Sequence, residues 1–265
     1  MFGFGDRARV LPWLSYDQRV RGASHGTPAA PEAGNEIDAD DFLASRRWAA
    51  ALLQGSRRAE RPRPSGERAA FARMISAFAA RDLEMAAHAE RLASLVRFFA
   101  PLAGLPSKEI EVLAEASRLH DLGKLALEPR LLGKSTPLSP AERRRLRLHP
   151  VLGARLLAGY RSPVLRLARL LALSHHEHWD GSGYPQGLVG EEIPLGSRLV
   201  SLLDRYDALR SRRPYKDAFS HAESCRVLFE GDHRSRPEHF DPTFLGLFAH
   251  HHETLAEAWE GFAGR

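Results

Sequence analysis

The chain contains a single cysteine, Cys225, among 265 residues. This excludes an internal disulfide framework and is typical of a reducing compartment. No stretch approaches the roughly 20 consecutive apolar residues that a membrane-spanning helix needs. The N-terminus, MFGFGDRARVLPW, lacks the long apolar segment of a secretory signal peptide. These absences predict a cytoplasmic protein without a membrane span.

Runs of Val, Ile and Thr, which favour β-strands, are scarce, whereas Ala, Leu and Arg dominate the composition. This balance predicts an all-α fold. The formal net charge of +5 suits an anionic partner such as a nucleotide, a nucleic acid or a lipid headgroup. However, the arginines are spread along the whole chain and no nucleic-acid-binding motif is present, so a generally solvated basic surface is an equally good interpretation and no nucleic-acid partner is expected.

The composition divides the chain into two parts. Residues 21–36 are rich in Gly, Ala and Pro and have no periodicity, which is typical of a linker. Residues 38–54 have the pattern of one short helix, and residues 55–66 end it with Pro, Gly and charge. We therefore predict a poorly ordered N-terminal arm over residues 1–66 and a multi-helix domain over residues 67–265.

Helix signals follow one another through the second part. A stripe at spacings of three and four residues predicts the buried face of a central helix: Leu92, Leu95, Val96, Phe99 and Leu102. Capping residues predict where further helices begin: Ser107, Ser139, Ser162, Ser220 and Asp241. Glu142 and Glu223 lie three residues after their serines and complete two capping boxes.

Several histidines and carboxylates fall where apolar residues are expected. Extended backwards, the central stripe passes through His88 and Glu84, so both side chains are predicted to face the core. A buried Glu–His pair needs compensation, which either a mutual hydrogen bond or a metal ion supplies. For this pair alone, the hydrogen-bonded interpretation is favoured.

Three more places show the same feature. His120 and Asp121 follow an apolar helical face, His175 and His176 end an apolar helix, and Asp204 lies within the apolar segment LVSLLDRYDAL. His149 adds an imidazole at a helix boundary just before a proline. Together with the first pair, these are five His and three carboxylates at inward faces or helix ends, which indicates a metal cluster in the core of a helical bundle.

The motifs occur in the order HDLGK, HHEHWDGSGYP, DRYD, RPYK and FDP between His120 and Pro242. In this order and spacing the chain resembles the HD-GYP family, a branch of the HD phosphohydrolase superfamily, over roughly residues 70 to 250. The resemblance implies an HD-type helical bundle that cleaves cyclic di-GMP, a bacterial second messenger, to pGpG and/or GMP. Some members act on related cyclic dinucleotides.

The resemblance also implies roles for individual residues. Two or three divalent metal ions, with iron or manganese expected, are held by a set of eight ligands: Glu84, His88, His120, Asp121, His149, His175, His176 and Asp204. Asp121 bridges two ions, and Glu84 belongs with the third. Asp121 and Lys124 are catalytic, and a hydroxide shared by the metals attacks phosphorus. Lys124 also contacts substrate, together with Gly183, Tyr184, Pro185, Arg213 and Lys216.

Two other functions are compatible with the sequence. One is a receptor that binds cyclic di-GMP, or a partner such as a diguanylate cyclase, without turnover. The other is a broader HD phosphohydrolase acting on nucleotides or phosphomonoesters. Further candidate partners are another signalling protein and a second copy of the chain in a homodimer. Cys225 is expected in the core, and Asp207 is expected to orient a ligand. Seven other histidines receive no role: His178, His221, His233, His239, His250, His251 and His252.

Overall fold

The computed structural model describes residues 64–212 and 217–263, and in these ranges it contains helices and no β-strand. The predicted all-α fold is confirmed. The α-helices are α1 (Pro64–Arg81), α2 (Leu83–Leu102), α3 (Ser107–Ser117), α4 (Pro129–Leu132), α5 (Pro140–Leu146), α6 (His149–Leu156), α7 (Pro163–Ser174), α8 (Leu195–Arg210), α9 (His221–Glu230) and α10 (Pro242–Ala263). Among the described helices, none is both long enough and apolar enough to cross a membrane.

Residues 1–63 of the predicted N-terminal arm, with its helix at residues 38–54, lie outside the described residues. The first described helix begins at Pro64, three residues before the predicted domain boundary at Glu67. Glu67 is buried, and its carboxylate accepts hydrogen bonds from the backbone N–H groups of Arg161 and Ser162 at 2.8 and 2.7 Å. Helix α1 is therefore tied to the start of α7 and belongs to the domain.

Helix α2 lies at the centre of the fold and packs against α1, α3, α8 and α10. Its predicted apolar stripe is confirmed for Leu92, Leu95, Val96 and Phe99, each of which is fully buried. Burial of one such side chain stabilises the fold by roughly 1.5–3 kcal/mol. The prediction is wrong for Leu102, which is 36% exposed at the end of the helix.

The helix starts largely follow the capping signals. Ser139 and Ser220 form the predicted capping boxes with Glu142 and Glu223, and Ser162 accepts from the backbone N–H of the residue three positions later. The prediction for Ser107 is wrong, because Ser107 is the first helical residue and no side chain caps the N-terminus of α3. Asp82 was not predicted as a cap; its extended backbone separates α1 from α2, and its carboxylate accepts from two N–H groups of α2.

One close approach positions the later site. A short 3-10 helix, Leu122–Ala126, packs against α6. A Cβ atom on Gly123 would lie 1.9 Å from the carbonyl oxygen of His149 and 2.6 Å from the backbone nitrogen of Gly153. Only glycine fits there, so the backbone that follows Asp121 lies directly against the start of α6.

Candidate metal centre

His120 and Asp121 lie in the turn that joins α3 to the 3-10 helix, where the exposed fractions of the two residues are 1% and 5%. Helix α3 ends at Ser117, three residues before His120. The predicted inward direction of His120 is confirmed. The turn frees Asp121 from helical geometry, so that its carboxylate reaches side chains from several helices.

The first group of potential ligands consists of Asp121, His149, His175 and His176, whose ligand atoms lie within 4.8 Å of one another. His149 begins α6, whereas His175 and His176 directly follow α7. Asp121 Oδ1 lies 3.2 Å from His149 Nε2 and 3.6 Å from His175 Nε2. Two helices and one turn thus direct four side chains to one point.

The second group consists of His88, His120 and Asp204, again within 4.8 Å of one another. His88 Nε2 lies 3.2 Å from Asp204 Oδ1 and 3.3 Å from His120 Nε2. His120 Nε2 also lies 3.3 Å from Asp121 Oδ2. One oxygen of Asp121 therefore faces the first group and the other oxygen faces the second, which is the geometry of a bridging carboxylate.

Backbone carbonyl groups fix the orientation of three of these imidazoles. The Nδ1 atoms of His120, His149 and His175 lie 2.8, 2.7 and 2.9 Å from the carbonyl oxygens of Ser117, Leu146 and Leu171. Because a carbonyl oxygen can only accept, each Nδ1 carries a hydrogen, and in the neutral imidazole each Nε2 therefore carries a lone pair. This is the arrangement in which a protein presents histidine to a metal.

The lone pairs face one another without a donor between them. His149 Nε2 and His175 Nε2 are 3.3 Å apart, and Asp121 Oδ1 beside them is buried without a hydrogen-bond partner. Buried acceptors that converge in this way are costly unless a cation lies among them. The chemistry of the donors, imidazole with carboxylate, suits Fe, Mn or Zn. The residues present therefore fit a bound metal ion.

The protonation states of His149 and Asp121 in the first group suit metal binding. Burial lowers the pKa of His149 to about 3, so its imidazole is neutral at pH 7. Burial raises the pKa of Asp121, but nearby positive charge, chiefly that of Lys124, outweighs burial and holds that pKa well below its usual value. The carboxylate is thus ionised, and the Lys124 ammonium donates to its Oδ2.

The second group favours positive charge. Burial opposes the imidazolium form of His88, but hydrogen bonds and charges from Asp204 and Asp207 outweigh burial and raise its pKa to about 9. Asp207 is fully buried, and its Oδ2 accepts from His88 Nδ1 at 2.7 Å. Arg91 and Trp259 also donate to Asp207, at 2.8 and 2.6 Å. Asp207 therefore orients His88, as predicted, while His88 Nε2 points to the centre.

Glu84 lies differently from its prediction. Its side chain is 55% exposed, and its carboxylate accepts from Arg91 Nη2 at 2.7 Å. The expectation of a buried carboxylate on the core face of α2 is wrong, because Glu84 is exposed in the first turn of α2 and pairs with Arg91. Glu84 lies in neither group of potential ligands, and its role as a ligand stays a prediction.

The loop after His176 forms one side of the centre. The Tyr184 ring stacks on the His176 ring with centroids 4.8 Å apart, and the Arg147 guanidinium lies 4.2 Å from the centroid of Tyr184. A Cβ atom on Gly183 would lie 2.2 Å from the backbone nitrogen of His178, so the turn requires glycine. Pro185 is exposed. Arg147 was missed by the sequence reasoning, since an exposed arginine outside every motif gives no signal.

Glu177 was also missed, although it lies in the middle of the longest motif. Its carboxylate is buried and accepts from the backbone N–H groups of Gln186 and Leu188 at 2.7 and 3.0 Å. A single acid therefore closes the loop that carries Tyr184. The signal available in the sequence was an acidic residue directly between two histidines, His176 and His178.

Replacing Glu177 by glutamine should lower the free energy of unfolding by about 2 kcal/mol, because an amide offers only one acceptor oxygen to the two backbone N–H donors. Chemical denaturation measures this difference. Glu191→Gln is the matched control, since Glu191 is exposed and should change stability by less than about 0.5 kcal/mol. Equal stability of the two variants would show that Glu177 does not hold the loop.

Arg213 and Lys216 lie outside the described residues. Of the other predicted site residues, seven predicted metal ligands converge, namely His88, His120, Asp121, His149, His175, His176 and Asp204. Lys124 is one-quarter exposed beside Asp121. The fold and the site together define a helical protein with a buried histidine–aspartate metal centre, in which Asp121 joins two groups of ligands.

Comparison with known proteins agrees with this class. Residues 58–244 match the HD domain family. The chain is 38% identical over 176 residues to a cyclic di-GMP phosphodiesterase response regulator of Xanthomonas campestris pv. campestris. The aligned segment covers 66% of this chain and 46% of the relative. It is 40% identical over 148 residues to a cyclic di-GMP phosphodiesterase of Thermotoga maritima, covering 56% of this chain and 40% of the relative.

A 3′3′-cGAMP-specific phosphodiesterase of Vibrio cholerae is 34% identical over 189 residues, covering 71% of this chain and 34% of the relative. The chain thus spans less than half the length of each of these relatives. The match extends over most of the described helices, and the HDLGK and HHEHWDGSGYP strings lie within it. The chain belongs to the HD domain family, in its HD-GYP branch, as the sequence predicted.

Proposed function

We propose that the chain is a metal-dependent phosphodiesterase that hydrolyses cyclic di-GMP to pGpG and/or GMP. The observation that carries the proposal is the position of Asp121, whose two carboxylate oxygens face two separate groups of ligands. A carboxylate shared in this way suits a pair of metal ions, the arrangement that hydrolyses phosphate esters in many enzymes. The names of the relatives support cyclic di-GMP as the substrate.

Two divalent ions, iron or manganese, would be held by the two groups and would supply Lewis acidity and a water of lowered pKa. The protein's own part is positioning. Lys124 holds Asp121 by its hydrogen bond to Oδ2 and, being partly exposed, offsets negative charge on the phosphoryl oxygens. Arg213 and Lys216 are proposed, by resemblance, to contact the substrate phosphates.

Gly183, Tyr184 and Pro185 are proposed to line the substrate pocket. Support comes from the stack of Tyr184 on His176, which places the phenol ring beside the first ligand group. Burial raises the pKa of Tyr184 well above its usual value, so its hydroxyl stays protonated at neutral pH and can donate to substrate. Glu177 keeps this loop in place through Gln186 and Leu188.

The activity is tested with the full chain loaded anaerobically with Fe(II) or Mn(II). Hydrolysis of cyclic di-GMP, followed by chromatography of pGpG and GMP, is the expected result. Parallel assays with 3′3′-cGAMP and with a phosphomonoester measure specificity, since one relative is specific for 3′3′-cGAMP. Binding of cyclic di-GMP without turnover with either metal would favour the receptor alternative, and preference for the monoester would favour a broader phosphohydrolase.

We expect two rather than three manganese ions per chain, because Glu84 pairs with Arg91 and adds no ligand to either group. Elemental analysis after desalting should give the same two ions in Glu84→Ala and in the control Glu90→Ala, another exposed glutamate of α2. Three ions in the wild type and two in Glu84→Ala would support the trinuclear alternative from the resemblance.

The setting of the activity is proposed from sequence alone. A cytoplasmic location is proposed because a single cysteine is typical of a reducing compartment. A diguanylate cyclase or other signalling protein as partner, and a homodimer, stay predictions from the resemblance.

A further inference from the structure

A second cluster of possible metal ligands, made of two histidines and a cysteine, lies where α9 and α10 meet α8. It is separate from the metal centre around Asp121, called the HD centre below. Its members are His221 and Cys225 on α9 and His252 on α10, and their ligand atoms lie within 4.8 Å of one another. His221 Nε2 lies 2.9 Å from His252 Nδ1 and 3.5 Å from Cys225 Sγ. None of these three residues was predicted to have a chemical role.

Local structure brings the three side chains together. His221 and Cys225 are four residues apart and share one face of α9, whose start is fixed by the capping box of Ser220 and Glu223. His252 stacks on His221 with ring centroids 5.1 Å apart and packs against Phe229 at 6.4 Å. Cys225 is buried, whereas both histidines are half-buried, so an ion can reach the cluster from solvent.

The distances match those between ligands of a tetrahedral metal ion. Bond lengths near 2.0–2.1 Å to nitrogen and 2.3 Å to sulfur place neighbouring ligand atoms about 3.3 Å (N···N) and about 3.6 Å (N···S) apart. The observed separations of 2.9 and 3.5 Å differ from these values by a few tenths of an ångström. Cys225 Sγ also lies 3.7 Å from His221 Nδ1, so the Cys225 side chain must rotate to bring its sulfur toward the Nε2 side of the ring.

Tyr206 on α8 supplies an outer partner for the cluster. Its hydroxyl oxygen lies 2.9 Å from His221 Nδ1 and accepts from Arg210 Nη1 at 3.0 Å. In one tautomer Tyr206 donates to His221, which then donates to His252. In the other, His221 Nδ1–H donates to the Tyr206 oxygen, and Nε2 turns a lone pair toward Cys225 and His252. The second tautomer is the one in which proteins hold a metal-binding histidine.

We propose that His221, Cys225 and His252 bind one thiophilic divalent cation, with Zn²⁺ as the best match, and that water completes the coordination. The ligand set of two imidazoles and one sulfur favours Zn²⁺ or Co²⁺ over Mn²⁺. On binding, the S–H bond of Cys225 breaks, the sulfur–metal bond forms and the proton passes to solvent. The ion joins α9 to α10 and, through Tyr206, to α8, the helix that carries Asp204.

The test uses Co²⁺ on the metal-free full chain in a phosphine reductant. Cys225 is the only cysteine of the chain, so a thiolate-to-cobalt charge-transfer band reports this cluster and not the HD centre, whose ligands contain no sulfur. We expect the band to saturate at one ion per chain. Cys225→Ala should abolish the band, and His252→Gln should weaken Co²⁺ binding by at least about a hundredfold.

The matched control is His250→Gln, because His250 is exposed on the same helix and its substitution should leave the band unchanged.

A second measurement uses the native thiol, because Cys225→Ala removes a buried side chain. Zn²⁺, but not Mg²⁺, should slow the reaction of Cys225 with a thiol reagent, and His252→Gln should remove that protection. Cobalt binding without a charge-transfer band, or protection that survives in His252→Gln, would overturn the proposal in favour of the Tyr206–His221–His252 hydrogen-bond chain.

Discussion

Asp121→Asn is expected to lower kcat/KM for cyclic di-GMP by about a thousandfold or more. The amide nitrogen of asparagine is a donor and cannot bind a metal, so one of the two ligand groups loses its shared oxygen. The substitution also removes a negative charge from a buried site where Lys124 and several histidines converge. The measurement is a steady-state phosphodiesterase assay together with the manganese content of the same sample.

The control for Asp121→Asn is Glu257→Gln, which converts an exposed carboxylate on α10 to an amide and should leave both activity and metal content unchanged. If Asp121→Asn kept two manganese ions and turned over within tenfold of the wild type, Asp121 would not bridge the ions. Loss of turnover with both ions retained would place Asp121 in substrate positioning only.

Gly123→Ala is expected to lower the free energy of unfolding by about 3 kcal/mol or more. The added Cβ would lie 1.9 Å from the carbonyl oxygen of His149, and backbone cannot move aside as the end of a flexible side chain can. Displacement of α6 would also shift His149 away from Asp121. Chemical denaturation and manganese content measure the two effects.

Gly246→Ala is the matched control. Apart from Gly246, its chain neighbours and the adjacent backbone of its own helix, no heavy atom lies within 4 Å of the position that a Cβ on Gly246 would occupy, and the residue lies inside α10. Alanine there should raise stability by about 0.5–1 kcal/mol, because glycine is the poorer helix former. Similar stability changes in the two variants would contradict the close approach at Gly123.

Local signals accounted for much of the fold. The two capping boxes and the buried part of the central stripe depend on residues a few positions apart, and each was predicted from the sequence. The errors were also local. A serine near a helix start does not cap it unless its backbone is extended, and Ser107 is already helical. Asp82 was overlooked because an alanine-rich segment continues on both sides of it.

The sequence by itself determined the metal-binding character of the chain. Histidine and aspartate in place of apolar residues predicted a buried centre, and the long HHEHWDGSGYP string indicated the HD-GYP branch. These inferences succeed because burial periodicity and residue chemistry are properties of short segments. Seven of the eight predicted ligands converge in the structure.

Only the tertiary structure decided how the ligands are shared. The two oxygens of Asp121 face different groups because α2, α6, α7 and α8 approach one turn from different sides. Glu84 pairs with Arg91 and lies in neither ligand group, and His221, Cys225 and His252 meet across two helices. Such outcomes depend on distances between residues far apart in the chain, and periodicity within one helix carries no information about them.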